Sequence, residues 1–337
     1  MRTMISIKDI ARLADVSVST VSRVINGKTC VAEDKRLRIE QAIKETGFVP
    51  NRAARDMVMK NTSKVGIFLP DTFNQFQRQL FSEIAHNLEV FGYYSSFFFV
   101  ATDKQGEQAC LQKLKSERLD GVILLREIEI PEFRTYLLQN HIPTILVTFE
   151  NAHWEGATSI HISEEEAAAA AVSHLIQLGH QEIALMGAKK FSFGTQRELG
   201  YKRALDHASI PYNPELTMYV DSYNIPQGKM GMQKLLERNV PFTALFAITD
   251  ELALGAIRLL QDCGYSVPQD ISVIGFDDIE ISSFTIPRLS TIQQPLKEMG
   301  RLAVSLLHDK IKHAVQEQRN IHLPFVLIER ESTVCRN

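Results

Sequence analysis

The sequence predicts a mixed α/β chain: a small three-helix head, then a body of two doubly wound lobes with parallel sheets. Three observations carry this. Residues 6–27 hold apolar residues at helical spacing, punctuated by serines at cap positions and closed by a glycine. From Lys64 onward, apolar runs of strand length alternate with amphipathic stretches of helix length. At 337 residues the chain is also longer than one hydrophobic core usually supports.

The first helix reads from Ser6, a good N-cap, with Ile7, Ile10, Ala11 and Ala14 on one face. Asp15 stands where the chain must turn, a position that tolerates a positive φ in Asp better than in most residues. Ser17 then caps a second helix whose inward positions are Val21, Val24 and Ile25, with Gly27 as its stop. Val18, Ser19, Ser22 and Arg23 are left on one outward side. A helix pair with small and polar residues on an outer face suits the DNA major groove; the alternative is an ordinary helical hairpin. A third helix spans about 33–46, with Ile39, Ala42 and Ile43 inward, Gly47 as C-cap and Phe48 as its hydrophobic clasp. After it, Asn51 can cap a helix of two turns at most. Such a helix is marginal alone and orders when docked, and a plain linker is the other reading.

Charge separates head from body. Residues 1–64 carry 13 Lys+Arg against 7 Asp+Glu, a net of +6; the rest carries 24 against 33, a net of −9, giving −3 overall. Attraction to phosphate depends on the local field, so the acidic total does not oppose nucleic-acid binding by the head.

In the body, strands are expected at Val65–Leu69, Tyr94–Val100, Gly121–Leu125, Thr144–Val147, Ile183–Met186, Thr243–Ala247 and Ile271–Gly275. Helices are expected at Phe76–Phe91, Glu164–Leu178, Gln227–Arg238 and Glu251–Cys263. Apolar strands alternating with helices imply parallel sheets covered on both faces, with a ligand cleft beyond the C-terminal strand ends. No apolar run approaches the ~20 residues that span a bilayer. The N-terminus lacks an apolar leader, and the 4 cysteines, at 30, 110, 263 and 335, form no CxxC. Reduced, buried thiols and a cytoplasmic location follow as expectations.

At these residues the chain resembles the lac repressor (LacI/GalR) family of bacterial transcription regulators. The resemblance runs through Val16-Ser17, Ser22-Arg23-Val24-Ile25-Asn26, Pro50-Asn51 and Ala54-Arg55. It continues through His174-Leu175-Ile176, Leu178-Gly179-His180, Arg197, Gly200-Tyr201, Val267-Pro268 and Ile271–Asp278. It implies a helix-turn-helix head over 1–48, a DNA-induced hinge helix within 49–62, and a periplasmic-binding-protein-like body over 63–337. Its N-lobe would take about 63–161 and 294–322, and its C-lobe about 162–291 and 323–337. Partners implied are double-stranded operator DNA, a second copy of the chain and a small effector, a sugar or sugar phosphate. A purine- or nucleoside-type effector is the alternative.

By family position Val18, Ser19 and Arg23 read bases, Arg23 by a bidentate contact to guanine and Val18 by packing on a methyl group. Ser6, Thr20, Ser22 and Asn26, with Asn51, Ala54, Arg55 and Met57 of the hinge, complete the DNA set. Met57 stands where the family usually has Leu as a minor-groove wedge. In the cleft, Arg197, Asp250 and Asp277 stand at effector positions, with Asn74, Phe76, Phe149, Phe193 and Tyr223 as further lining; core packing is the alternative for the aromatics. Departures are Asn74-Gln75-Phe76-Gln77 for the usual Asn-Pro-Phe-Phe, Thr148-Phe149 for Asp-Arg, and Ser163-Glu164 for Asp-Asn.

No enzyme signature stands against this. Gly27-Lys28-Thr29 resembles the end of a P-loop, but position 22 is Ser and no strand precedes it. There is no Gly-x-Ser-x-Gly and no HExxH, and the 10 histidines show no ligand spacing, so neither metal nor cofactor is expected. The Glu164-Glu165-Glu166 run reads as a helix first turn complementing the dipole. A transport solute-binding protein would share the lobes but not a basic head. Beyond Leu327 there is no leucine heptad, so a dimer is expected rather than a tetramer.

Overall fold

The computed structural model describes residues 5–25, 31–48, 62–71, 74–101, 103–150, 154–188, 192–313 and 317–336. Asn26, Gly27, Asn51, Ala54, Arg55 and Met57, and with them the hinge segment, lie outside the described residues. The chain divides into two compact units, Met1–Thr62 and Ser63–Asn337.

The first unit is helical: α1 (Ile7–Leu13), α2 (Val18–Ile25) and α3 (Glu33–Thr46). Ser6 and Asp9 form a reciprocal capping box, the Ser6 hydroxyl accepting from Asp9 N–H and Asp9 Oδ2 accepting from Ser6 N–H. Asp15 takes φ 51° at the turn, and Gly47 closes α3 at φ 63°. Ile10, Ala11, Ala14, Val21, Ile39, Ala42 and Phe48 form the core, with Ile7, Val16, Val24, Ile25 and Ile43 packed around it.

The second unit holds two lobes. In the N-lobe, β1 (Lys64–Pro70), β2 (Tyr94–Val100), β3 (Gly121–Leu124), β4 (Thr144–Val147), β5 (Thr158–His161) and β11 (Arg319–His322) make one sheet ordered β11-β5-β4-β3-β1-β2. Every pairing in it is parallel. Helices α4 (Gln75–Val90), α5 (Lys104–Ser116), α6 (Pro131–Gln139) and α11 (Leu296–His313) cover it.

The C-lobe sheet, also parallel, is ordered β7-β6-β8-β9, from β6 (Ile183–Gly187), β7 (Thr217–Tyr219), β8 (Ala244–Ala247) and β9 (Ser272–Ile274). Its helices are α7 (Glu164–Gln177), α8 (Ser192–His207), α9 (Ile225–Glu237) and α10 (Asp250–Asp262). They pack in pairs with backbones nearly touching: a Cβ at Gly200 of α8 would lie 2.2 Å from Glu165 O, and one at Gly255 of α10 2.1 Å from Ile225 O. No larger residue fits those crossings. A short antiparallel pair, β10 (Thr291–Gln293) with β12 (Val326–Ile328), completes the lobe. The chain therefore passes between lobes near 162, 294 and 323.

Expected elements recur within a residue or two. The strand expected to begin at Thr243 begins at Ala244, and the helix expected from Gln227 starts at Ile225 behind an Asn224 cap. One expectation fails: of the three described cysteines only Cys110 is buried, while Cys263 and Cys335 are exposed. Cys263 follows the last residue of α10, where the helix has reached the surface, and Cys335 lies on the terminal segment.

Candidate functional sites: the exposed face of α2 and the interlobe cleft

Helix α2 presents a strip built by its own periodicity. Val21 is fully buried while Val18 is 41% exposed and Ser19 and Arg23 are exposed, so one face holds the head's core and the opposite one is free. Arg23 forms no ion pair or hydrogen bond among the described residues, unlike Arg12, paired with Asp9, and Arg38, near Asp34 and Asp15. Its guanidinium is available to an incoming acceptor. Ser17 Oγ accepts from Thr20 N–H and lies 2.8 Å from both Ser19 Oγ and Thr20 Oγ1. Those hydroxyls are thus held at the helix N-terminus, where the backbone amides and dipole favour an anion such as phosphate. Ser22 is half-buried, flanking the strip rather than crowning it.

The second site follows from both sheets. In the N-lobe the order turns about β1, and in the C-lobe about β6, so in each the C-terminal strand ends open a crevice. Asn74 follows β1, Leu125 follows β3 and Thr148 follows β4. Phe193 and Arg197 follow β6, Tyr223 follows β7, Thr249 follows β8 and Asp277 follows β9. These residues, with Phe76, Gln77, Leu80, Glu164 and Gln294, line a pocket of about 450 Å³ including its open mouth.

Its floor is a charged cluster. Arg197, 3% exposed, donates from Nε to Glu164 Oε2 at 2.6 Å, from a terminal nitrogen to Asp277 Oδ1 at 3.3 Å, and from the other to Ile248 O. The guanidinium lies 3.5 Å from the centroid of the Phe276 ring and 4.9 Å from that of Phe193. Gln294, also 3% exposed, donates to Asp277 Oδ1 at 2.9 Å and, among the described residues, leaves its own Oε1 without a partner.

Burial pushes the Asp277 carboxyl up to about 8 despite Arg197 beside it, with Asp250 and Glu164 adding to the rise. Two cleft residues hold positive φ, Thr148 at 73° and Asp277 at 118°, as does Asp278 at 52°. For a β-branched Thr that conformation is strained, and it aims the side chain off the strand end into the crevice.

The structure brings together Asn74, Phe76, Phe193, Arg197, Tyr223 and Asp277 from the set read in sequence. Two members are corrected. Asp250 does not line the pocket: fully buried, it accepts from Thr291 Oγ1 at 2.5 Å, Ser282 Oγ at 2.7 Å and Ile279 N–H at 2.9 Å, pinning the segments after β9 and at β10. Burial raises its carboxyl to about 6, with those three bonds opposing the rise. Phe149 packs on the N-lobe core instead, because the turn at Thr148 sends the preceding side chain into the cleft. In sequence Glu164 reads as a helix first-turn acid and as a departure from the family's cleft Asp-Asn; Glu165 and Glu166 fit the first-turn reading, while Glu164 turns inward to Arg197. Thr148 is marked in the sequence only as a departure from the family's Asp-Arg, and Thr249 and Gln294, single polar residues beside strand ends, carry no sequence signal.

An outward-facing helix on a basic three-helix head, joined to a two-lobed body with a polar cleft, defines a ligand-responsive regulator class. Residues 6–51 match the family model described as "Bacterial regulatory proteins, lacI family", and residues 172–333 match "Periplasmic binding protein-like domain". The chain is 34% identical to the HTH-type transcriptional regulator RegA of Clostridium saccharobutylicum, over 98% of this chain and 99% of that one. Among solved structures it resembles the lac repressor dimer bound to operator and the anti-inducer ONPF, with a TM-score of 0.86, 26% identity and coverage of 98% and 100%. It also resembles the complex of the transcriptional regulator CelR with cellobiose, with a TM-score of 0.73, 28% identity and coverage of 97% and 99%. The chain belongs to the lacI family.

Proposed function

We propose that the chain is a cytoplasmic, non-catalytic repressor of carbohydrate-utilisation genes. Two copies bind a pseudo-palindromic operator, and a sugar in the interlobe cleft controls them. The observation that carries the effector reading is the Arg197–Glu164–Asp277–Gln294 floor. Among the described lining residues Arg197 is the one cation, and the Glu164 carboxylate and the Asp277 carboxyl already engage it. Asp277 Oδ2 and Gln294 Oε1 have no partner among the described residues, so the floor keeps an amide acceptor and a carboxyl that, raised to about 8, can also donate near neutral pH. Hydroxyls both donate and accept, so a hydroxyl-rich, uncharged ligand matches these groups, and Phe76 and Phe193 offer it apolar faces. A phosphate would meet a floor whose positive charge is spent. The cellobiose held by CelR points to the same ligand class.

Support for DNA reading is the free Arg23 beside exposed Val18 and Ser19 on a head of net charge +6, counting residues 1–64. Bidentate guanine recognition by one Arg is worth roughly 1–3 kcal/mol of base discrimination. Thr20, Ser22 and Ser6 take backbone-positioning roles, and the hinge assignments for Asn51, Ala54, Arg55 and Met57 rest on sequence alone. Support for a homodimer is exposed apolar surface: Phe97 and Phe99 on edge strand β2, and Phe284 and Ile286, 73% and 88% exposed. No described helix is long and apolar enough to cross a membrane.

The test is a mobility-shift assay on an operator selected from random duplexes, run with neutral sugars, sugar phosphates and purines. A shift in operator affinity of fivefold or more is expected with a neutral sugar. A response to phosphates or purines alone rejects the neutral-sugar reading.

A further inference from the structure

The N-terminus of α4 and the first turn of α10 belong to different lobes, yet one hydrogen bond joins them. Gln75 N–H donates to Glu251 Oε1 at 2.8 Å. Beside it, Gln77 of the N-lobe and Tyr223 of the C-lobe both line the cleft. The local sequence explains why the amide is available. In the capping box of α4, Asn74 Oδ1 accepts from Gln77 N–H and Gln77 Oε1 accepts from Asn74 N–H. Gln75, the first residue of the helix, has no intrahelical acceptor for its own N–H. A carboxylate there satisfies that donor and sits at the positive end of the helix dipole.

Glu251 reaches it because of helix geometry. Asp250, one position earlier on α10, points into the C-lobe toward Ile279, Ser282 and Thr291. A turn of about 100° per residue carries Glu251 out toward the other lobe. Phe76, next to Gln75 in the chain, lines the cleft, so the bond sits at its rim.

We propose that Glu251, bonded to the Gln75 amide across the cleft, is a positioning residue that ties the two lobes together at the cleft rim. This rests on the cleft being the ligand site. It adds that the chain's own groups tie the lobes to each other, so widening of the cleft requires this bond to open.

Gln75→Pro tests it cleanly. At the first helical position proline keeps the helix and removes only the N–H. Glu251→Ala removes the acceptor from the other side. Hydrogen exchange is followed in the full-length chain over residues 121–128 and 192–200, stretches that include the cleft-lining Leu125, Phe193 and Arg197 and neither partner of the bond. Both variants should exchange there about tenfold faster, the scale of one charge-assisted hydrogen bond. The double variant should be no faster than either single one, because both delete the same bond. Glu251→Gln, which keeps an uncharged acceptor, should fall between. Wild-type exchange at both stretches in the two single variants, or additive acceleration in the double variant, overturns the proposal. A chain that shows the expected exchange but whose operator binding ignores every sugar removes the effector reading and leaves the latch standing.

Discussion

Exchanging Glu164 for Gln removes one charge and keeps nearly the whole shape of the side chain. Glu164 and Arg197 are both almost wholly buried, with 2.6 Å between Oε2 and Nε. The other carboxylate on the guanidinium, Asp277, is 3.3 Å away and is pushed by burial up to about 8, so near neutral pH it is a weak counter-ion. Glu164→Gln therefore leaves a buried cation with little compensation. Removing one partner of a buried pair costs about 3–5 kcal/mol, and the retained amide oxygen places this case near the lower end, ~3 kcal/mol. For a body of this size that corresponds to a melting point lower by roughly 6–12 °C. Circular dichroism and calorimetry on the full chain at pH 7 measure it. A second consequence separates charge from packing. Glu164 is one of the charges that raise Asp277, so the variant's Asp277 should titrate at lower pH than in the parent chain. A melting point within about 2 °C of the parent refutes the account of Arg197 as a cation dependent on Glu164.

The remaining predictions are briefer. Arg23→Ala should cut discrimination between operator and random duplex by roughly 5–150-fold, leaving melting point and salt-sensitive nonspecific binding in place; filter binding against both DNAs reads it. Asp250→Ala strands the Ile279 amide and the Ser282 and Thr291 hydroxyls without their acceptor. It should lower stability by about 3 kcal/mol or more while leaving the cleft side chains in position, as a urea titration would report. Asp277 binds its proton more tightly folded than unfolded, its carboxyl rising from 3.8 to about 8. Its contribution is therefore full below the ordinary carboxylate pKa and is lost as pH climbs toward 8. Asp277→Asn should flatten that part of the stability–pH profile.

How much of this was legible in sequence depends on how local each signal was. Strands β1, β3, β4, β6 and β8 announce themselves as apolar runs because both faces of a parallel sheet are covered. Strand β5, Thr-Ser-Ile-His, is as buried but polar. His161 and Ser159 both reach Asn320 on β11, a partner 159 and 161 residues away, so nothing nearby marks it as sheet. Four further strands, at 217–219, 291–293, 319–322 and 326–328, are three or four residues long, too short for a periodicity.

In the cleft, Arg197 and Asp277 came from family resemblance, and the structure places both at the floor. The errors share one cause, side-chain direction at the end of an element. Adjacent acids Asp250 and Glu251 leave one helix turn toward opposite lobes, and Thr148 and Phe149 leave one strand end toward cleft and core. No pattern of residue types specifies which member of such a pair faces the ligand. The same is true of Glu164 among three consecutive glutamates.

The central claim is that the cleft governs the head, and Asp277 is where it is most exposed to test. Asp277→Ala in the full-length chain is titrated onto the selected operator with and without the sugar that shifts the parent. The account predicts parental operator affinity without sugar and no shift with it. A variant that still responds to the sugar as the parent does contradicts it.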